Sequence, residues 1–480
     1  MQEAKVVRQI SAMDGRERER LRQFVRSPYF NRHEGTAKLL DFILKELSKS
    51  RPKLEEARAK AAIKQTGTGQ SLADLQSALM KLVNHFLAVE QLGEESFRQE
   101  VLTLKRTKEL HRFKLLENRG KRLDSKVAKH KYRDGDVHLA AYEWKSINGY
   151  RQTAADRADT REMQAMLQHL DRFYMVEKLR HACHITANMM MMNTHYDLVF
   201  LEAILTYLES DPGRSLRQSG KEPSIDCYFH ILMSLRDPDT SEHYDRLLYY
   251  LEDGFNQLPL DHQKDVYSFA SNYCIQRIRS GHASFRIALM DLYRKGLDNG
   301  IIYDQGKISE YVYKNIVTLG SANQEFEWTE RFIEENRERL PADKRDNAYA
   351  LNKANFLYNL KRLDEAAKLL ITVTDSDIVY HLARVILEVR IAYEQEDQEY
   401  ALNLLETFRL YVRRSRKMST KDKRSYINYT RFTKQLVNLK HQEDYLDKNT
   451  YTKKLSTLNE TVNATDLVVE RGWLLKESTQ

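Results

Sequence analysis

The residues best suited to chemistry by type lie in one stretch, His181-Ala-Cys183-His184, followed by Met189 to Met192 and His195. Thiol, thioether and imidazole are soft-metal ligands. On a helix, His181 and His184 share a face while Cys183 is offset, and four consecutive methionines point all around the axis. Methionine fills irregular helical cores, so the stretch is expected to pack as core, with no metal and no cofactor. Gly67-Thr-Gly69 resembles a phosphate loop only in part. Gln70 stands where such a loop needs lysine, and no strand precedes it. The chain has no His-Glu-x-x-His helix, Gly-x-Ser-x-Gly elbow or calcium-loop series. The expectation is a protein that is not an enzyme.

Charge is the second candidate for chemistry. The formal net charge is +8. Segment 105–134 carries +8 and segment 409–424 carries +7, which leaves −7 for the rest. Each basic segment suits a phosphate backbone if its cations share a face. Segment 409–424, with Arg409, Arg413, Arg414, Arg416 and Lys417 as its candidate patch, also has Tyr411 within it and Tyr426 and Tyr429 just beyond. Aromatic rings between cations suit stacked bases. A solvated helix face, partly paired with acidic neighbours, is the plainer reading of both.

The elements that position these residues are helices. Glycine (17) and proline (7) together make 5% of the 480 residues, against roughly 12% in an average protein. Sheets spend those residues on turns. The fold class expected is all-α. Three cysteines, Cys183, Cys227 and Cys274, form no Cys-x-x-Cys pair and no disulfide framework. With no apolar leader and no run near the ~18 apolar residues a membrane helix needs, the expected setting is a reducing cytoplasm, without membrane.

Residues 1–93 read as a helical N-terminal domain. Asp14 and Glu17 have capping-box spacing, and Ser71 with Asp74 repeats the device before Leu72, Leu75, Leu79, Leu82, Val83, Phe86 and Leu87. Ser27-Pro28 ends one helix, Tyr29 and Phe30 are expected beneath the turn, and Asn31 is expected to cap the next helix. The predicted second domain, 94–136, is a pair of long basic connector helices. From 137 to 480 helix pairs recur, with first helices near Val137, Met175, Ser224, Asp261, Lys307, Ala342, Asp377 and Thr420. That drift around a 34- to 45-residue period signals stacked hairpins. The stretch Ser210 to Ser224, rich in Gly, Pro and Ser, is the expected loop or boundary.

One unit resembles a tetratricopeptide repeat (TPR): Ala350, Ala354 and Leu357, then Leu363, Ala366 and Leu370. The next repeats the scheme with Val389, Tyr393, Ala401 and Leu405, departing at Val389, where the family places a small residue. The best repeats are 342–376 and 377–413. The resemblance implies an α-solenoid of TPR-like helix hairpins, and a concave face that acts as a protein-binding scaffold for a peptide or protein partner. Asn355 and Arg390 fall at equivalent repeat positions, with Asn352 nearby. They resemble the carboxylate clamp of chaperone-binding TPR domains, which implies a peptide backbone or terminal carboxylate as ligand. The alternative is a nucleic-acid-associated helical-repeat protein acting through 105–134 and 409–424. The whole chain also resembles a group of large uncharacterised Bacteroidetes proteins. The resemblance is carried by Phe24-Val-Arg-Ser-Pro-Tyr-Phe-Asn31, Tyr313-Lys-Asn-Ile-Val317, Phe332-Ile-Glu334 and Arg471-Gly-Trp-Leu-Leu-Lys476. It implies helical architecture and no particular activity.

Overall fold

Scarce glycine and proline leave the backbone few places to break, and the described residues fold mainly as helices. The computed structural model describes residues 4–64, 71–155, 160–192, 195–280, 282–374, 378–416 and 418–479. The Gly67-Thr-Gly69 stretch, Asp377 and Lys417 lie outside the described residues. Helix accounts for 78% of the structure, with no strand among the described residues. No described helix is long and apolar enough to cross a membrane. Contacts divide the chain into two compact units, Met1–Leu232 and Met233–Gln480.

The first unit begins with α1 (Lys5–Ala12), α2 (Gly15–Arg26), α3 (Glu34–Leu47), α4 (Glu56–Lys64) and α5 (Leu72–Glu94). They surround one core built on Leu21, Leu39, Ile43, Leu79 and Val83. The capping boxes of Asp14 with Glu17 and of Ser71 with Asp74 both form, so each satisfies backbone donors that a helix start leaves open. The helix before Pro28 ends at Arg26. Two details of that turn differ from expectation. Phe30 stacks on Phe24 at 4.0 Å, but Tyr29 is 86% exposed. Asn31 does not cap α3, whose first flanking residue is His33; its amide instead donates to the Val25 and His33 carbonyls.

The same unit continues with α6 (Ser96–Glu109), α7 (Phe113–Lys129), α8 (Gly135–Ala155), α9 (Arg161–Met192), α10 (Leu201–Glu209), α11 (Asp211–Gln218) and α12 (Pro223–Arg236), the last running across the division. The predicted connector helices do not stand apart. α6 and α7 fold into a hairpin against α8, with Leu104, Leu116, Leu123 and Trp144 in a shared core. Met175 starts no helix; it lies inside α9, whose 32 residues contain neither Gly nor Pro. The stretch expected as a loop holds α11, because Pro212 sits in the first turn, where its missing N–H costs nothing.

The second unit comprises α13 (Ser241–Leu251), α14 (Leu260–Arg279), α15 (Phe285–Asp298), α16 (Glu310–Ala322), α17 (Phe326–Glu335), α18 (Arg345–Asn359), α19 (Leu363–Leu370), α20 (Ile378–Glu394), α21 (Gln398–Arg414), α22 (Thr420–His441), α23 (Lys448–Ala464) and α24 (Arg471–Glu477). Helices pack on their chain neighbours. In addition α16 touches α18, and α18 touches α20, so alternate helices form a second row of contacts.

Candidate binding surface

Three hairpins in the second unit, α16–α17, α18–α19 and α20–α21, turn in the same way. The turn residue adopts left-handed backbone each time: Gln324 (φ 61°), Lys361 (φ 59°) and Glu396 (φ 61°). The following amide reaches back to the helix, Glu325 N to Gly320 O at 2.9 Å, Arg362 N to Leu357 O at 2.9 Å and Asp397 N to Ala392 O at 3.0 Å. This is the Schellman closure of a helix end. None of the three is glycine, so the usual sequence signal for the turn is missing.

Fixed turns fix what the paired helices bring together. Seven residues before each turn residue stand Val317, Ala354 and Val389, and five after it stand Thr329, Ala366 and Ala401; all six are fully buried. At the first hairpin the helices come close enough that a Cβ on Gly320 would lie 2.1 Å from Thr329 Oγ1. In the sequence this hairpin shows no TPR pattern beyond its spacing. Its signal is the small Gly320 facing a residue nine positions on.

The residue after each buried first-helix position defines one face: Thr318, Asn355 and Arg390. Thr318 is exposed and Asn355 half-buried. Asn352 points elsewhere; it is buried and its amide donates to the Ala348 carbonyl at 2.8 Å. Glu310 ties the three units together at one end, accepting from Lys344 Nζ and from Tyr380 OH, each at 2.6 Å.

Arg390 is engaged within the chain. Its guanidinium carbon lies 4.6 Å from the Tyr358 ring centre and 5.5 Å from that of Trp473, and Nη1 donates to Glu470 Oε2 at 3.2 Å. Trp473 also meets Tyr393 edge-on at 5.4 Å. Behind this cage Tyr358 OH and Lys361 Nζ both donate to Glu394 Oε1, at 3.1 and 2.7 Å. Burial opposes ionisation of Glu394, but those two donors outweigh it and hold the carboxyl below its usual range. Burial, reinforced by Glu394, raises the Glu477 carboxyl above its usual range.

The other candidate residues are dispersed. Arg409 pairs with Glu406 at 3.0 Å, while Arg413, Arg414 and Arg416 are exposed. In segment 105–134, Lys105 pairs with Glu143, Arg106 with Glu109 and Lys121 with Glu117, and Arg133 donates to the Val127 carbonyl. His181 and His184 are exposed while Cys183 is fully buried, its thiol 3.3 Å from the Tyr228 carbonyl, so the three do not converge. All three cysteines are buried. Among the described residues no group of three or more His, Cys, Asp or Glu is placed to hold a metal ion.

A polar network in the first unit was not legible in the sequence. His138 lies 3.1 Å from His169, Nδ1 to Nδ1, and 2.9 Å from Glu222 through Nε2. Arg172 Nε meets the other Glu222 oxygen at 3.0 Å. Burial, then the neighbouring His138, lowers the His169 pKa to about 4. The partners are 31 and 84 residues apart, and nothing local announces them.

No family model matches this chain, and no curated protein or solved structure matches it.

Proposed function

We propose that the chain is a non-catalytic scaffold whose helix hairpins stack as a TPR-like solenoid and bind a protein partner on the face of α16, α18 and α20. The observation that carries this reading is the recurrence, in three successive hairpins, of one turn geometry (which α6–α7 also shows at His111) and one pair of buried positions, at spacings of 37 and 35 residues, from 324 to 361 to 396. Stacked hairpins of that period present their first helices along a continuous surface that suits an extended or helical segment. Thr318, Asn355 and Arg390 are the equivalent positions on that surface. The likeness to the Bacteroidetes group in segments 24–31 and 313–317 fits the same architecture.

Capture from the native host after nuclease treatment tests the proposal. Thr318→Glu with Asn355→Arg is expected to lower capture at least tenfold. Arg413→Glu, Arg414→Glu and Arg416→Glu together are expected to leave it unchanged. The opposite pattern would transfer the function to the basic segment. Binding to single-stranded nucleic acid would then weaken with salt at a log–log slope of about −0.7 per phosphate contacted.

A further inference from the structure

The segment that covers Arg390 is held by a mixture of matched and mismatched contacts. It matches in charge, Glu470 to Arg390, and in shape, the Trp473 ring set against Arg390 and Tyr393. Leu474 is buried beside Trp473, and Asn459 Nδ2 donates to the Leu475 carbonyl at 3.0 Å. The mismatches lie in the same contact. Arg390 Nε and Trp473 Nε1 are buried and make no hydrogen bond of normal geometry; the Tyr358 hydroxyl beside the two side chains is a poor partner for both. A buried donor left unmade forfeits its hydration without return. Leu467 (φ 52°) and Glu470 (φ 56°) both take left-handed backbone, which is strained for a residue that bears a side chain. Glu477 is buried within the field of the Glu394 carboxylate, like charge against like.

These features point to a segment seated on a surface that recognises its chemistry without being fully satisfied by it. We infer that Arg390, Tyr358 and Tyr393 form a recognition site for a helical segment bearing a carboxylate three residues before an aromatic ring. In this structure residues 467–477 of the same chain fill it, through Glu470 and Trp473. A partner segment of that chemistry binds when the covering segment lifts. The site deepens the scaffold reading and rests on it, since it lies at one end of the proposed binding face.

The test uses the full chain and a fluorescein-labelled peptide of residues 465–479, followed by fluorescence anisotropy. Glu470→Ala/Trp473→Ala protein is expected to bind the peptide at least tenfold more tightly than the wild-type chain, whose site is filled in cis. Adding Arg390→Ala is expected to remove that gain. Equal binding by the double variant and wild type, or equal binding of a peptide with Glu470 replaced by Lys, would overturn the inference. Loss of Trp473 also exposes the core around Leu474, so the unaltered protein supplies an independent reading by hydrogen exchange. Amides of 471–477 are expected to exchange at least tenfold faster than those of 385–393. Exchange as slow as in 385–393 would also overturn the inference. Neither result touches the scaffold proposal, which stands or falls on Thr318 and Asn355.

Discussion

His169 shows how one placement converts into a measurable property. Its ring is held beside His138, Arg172 and Glu222, and burial first, then His138, carries its pKa from 6.5 to about 4. The unfolded chain therefore takes up a proton before the folded one does as pH falls. Stability contributed by the neutral ring is complete above about pH 6.5 and is lost progressively down to about pH 4. Allowing for the ring's partial exposure, the loss at pH 5 is expected to be about 1 kcal/mol. His169→Gln should flatten thermal melting between pH 7 and pH 5; an unchanged pH dependence would deny the depressed pKa. Gly120 makes a second residue-level case. Gly→Ala inside a helix ordinarily gains about 1 kcal/mol, but here a Cβ would stand 1.8 Å from the Trp144 ring, itself buried and bonded to Asp124. Gly120→Ala is expected to cost about 1–3 kcal/mol through overpacking, and chemical denaturation that shows a gain would refute the close approach. Neither site was legible beforehand, because each depends on partners brought close only by the fold.

Elements were legible where their signals are local. Asp14 with Glu17 and Ser71 with Asp74 announce helix starts within four residues, and both boxes form. Composition alone misled at Ser210 to Ser224, where Pro212 and Gly213 suggested a loop. Proline is tolerated in a first turn, and Gly213 there lies tight against the Tyr207 carbonyl, so α11 forms. The hairpin turns failed to announce themselves for the opposite reason: Gln324, Lys361 and Glu396 hold a backbone conformation that glycine usually supplies. Exposed Gln324 is the cleanest place to measure that strain. Gln324→Gly is expected to stabilise the protein by about 0.5–1 kcal/mol and Gln324→Val to destabilise it by a similar amount or more, both read as shifts in the denaturation midpoint. The small residues between paired helices were legible from their spacing. Ala354 and Ala366 are fully buried, and either change to Leu should cost about 1–3 kcal/mol. Unchanged melting in both variants would contradict the packing of α18 on α19.

At the scale of the whole molecule, the all-helical class followed from scarce glycine and proline. Segment 94–136 was marked off by its charge, yet charge on a helix surface says nothing of what its other face packs against, and Leu104 and Leu116 join the core around Trp144. The candidate site was half legible. Repeat spacing brought out Asn355 and Arg390, but the same spacing could not reveal that Asn352 turns inward or that Glu470, 80 residues on, pairs with Arg390. The proposed protein partner lies along α16, α18 and α20. A photo-crosslinking phenylalanine analogue, placed singly at Thr318, Asn355, exposed Lys368 or exposed Arg414 and activated in the native host, tests that placement most directly. Protein adducts, insensitive to nuclease, are expected from 318 and 355, and few from 368 or 414. Equal yields from all four positions, or nucleic-acid adducts from 414 alone, would contradict it.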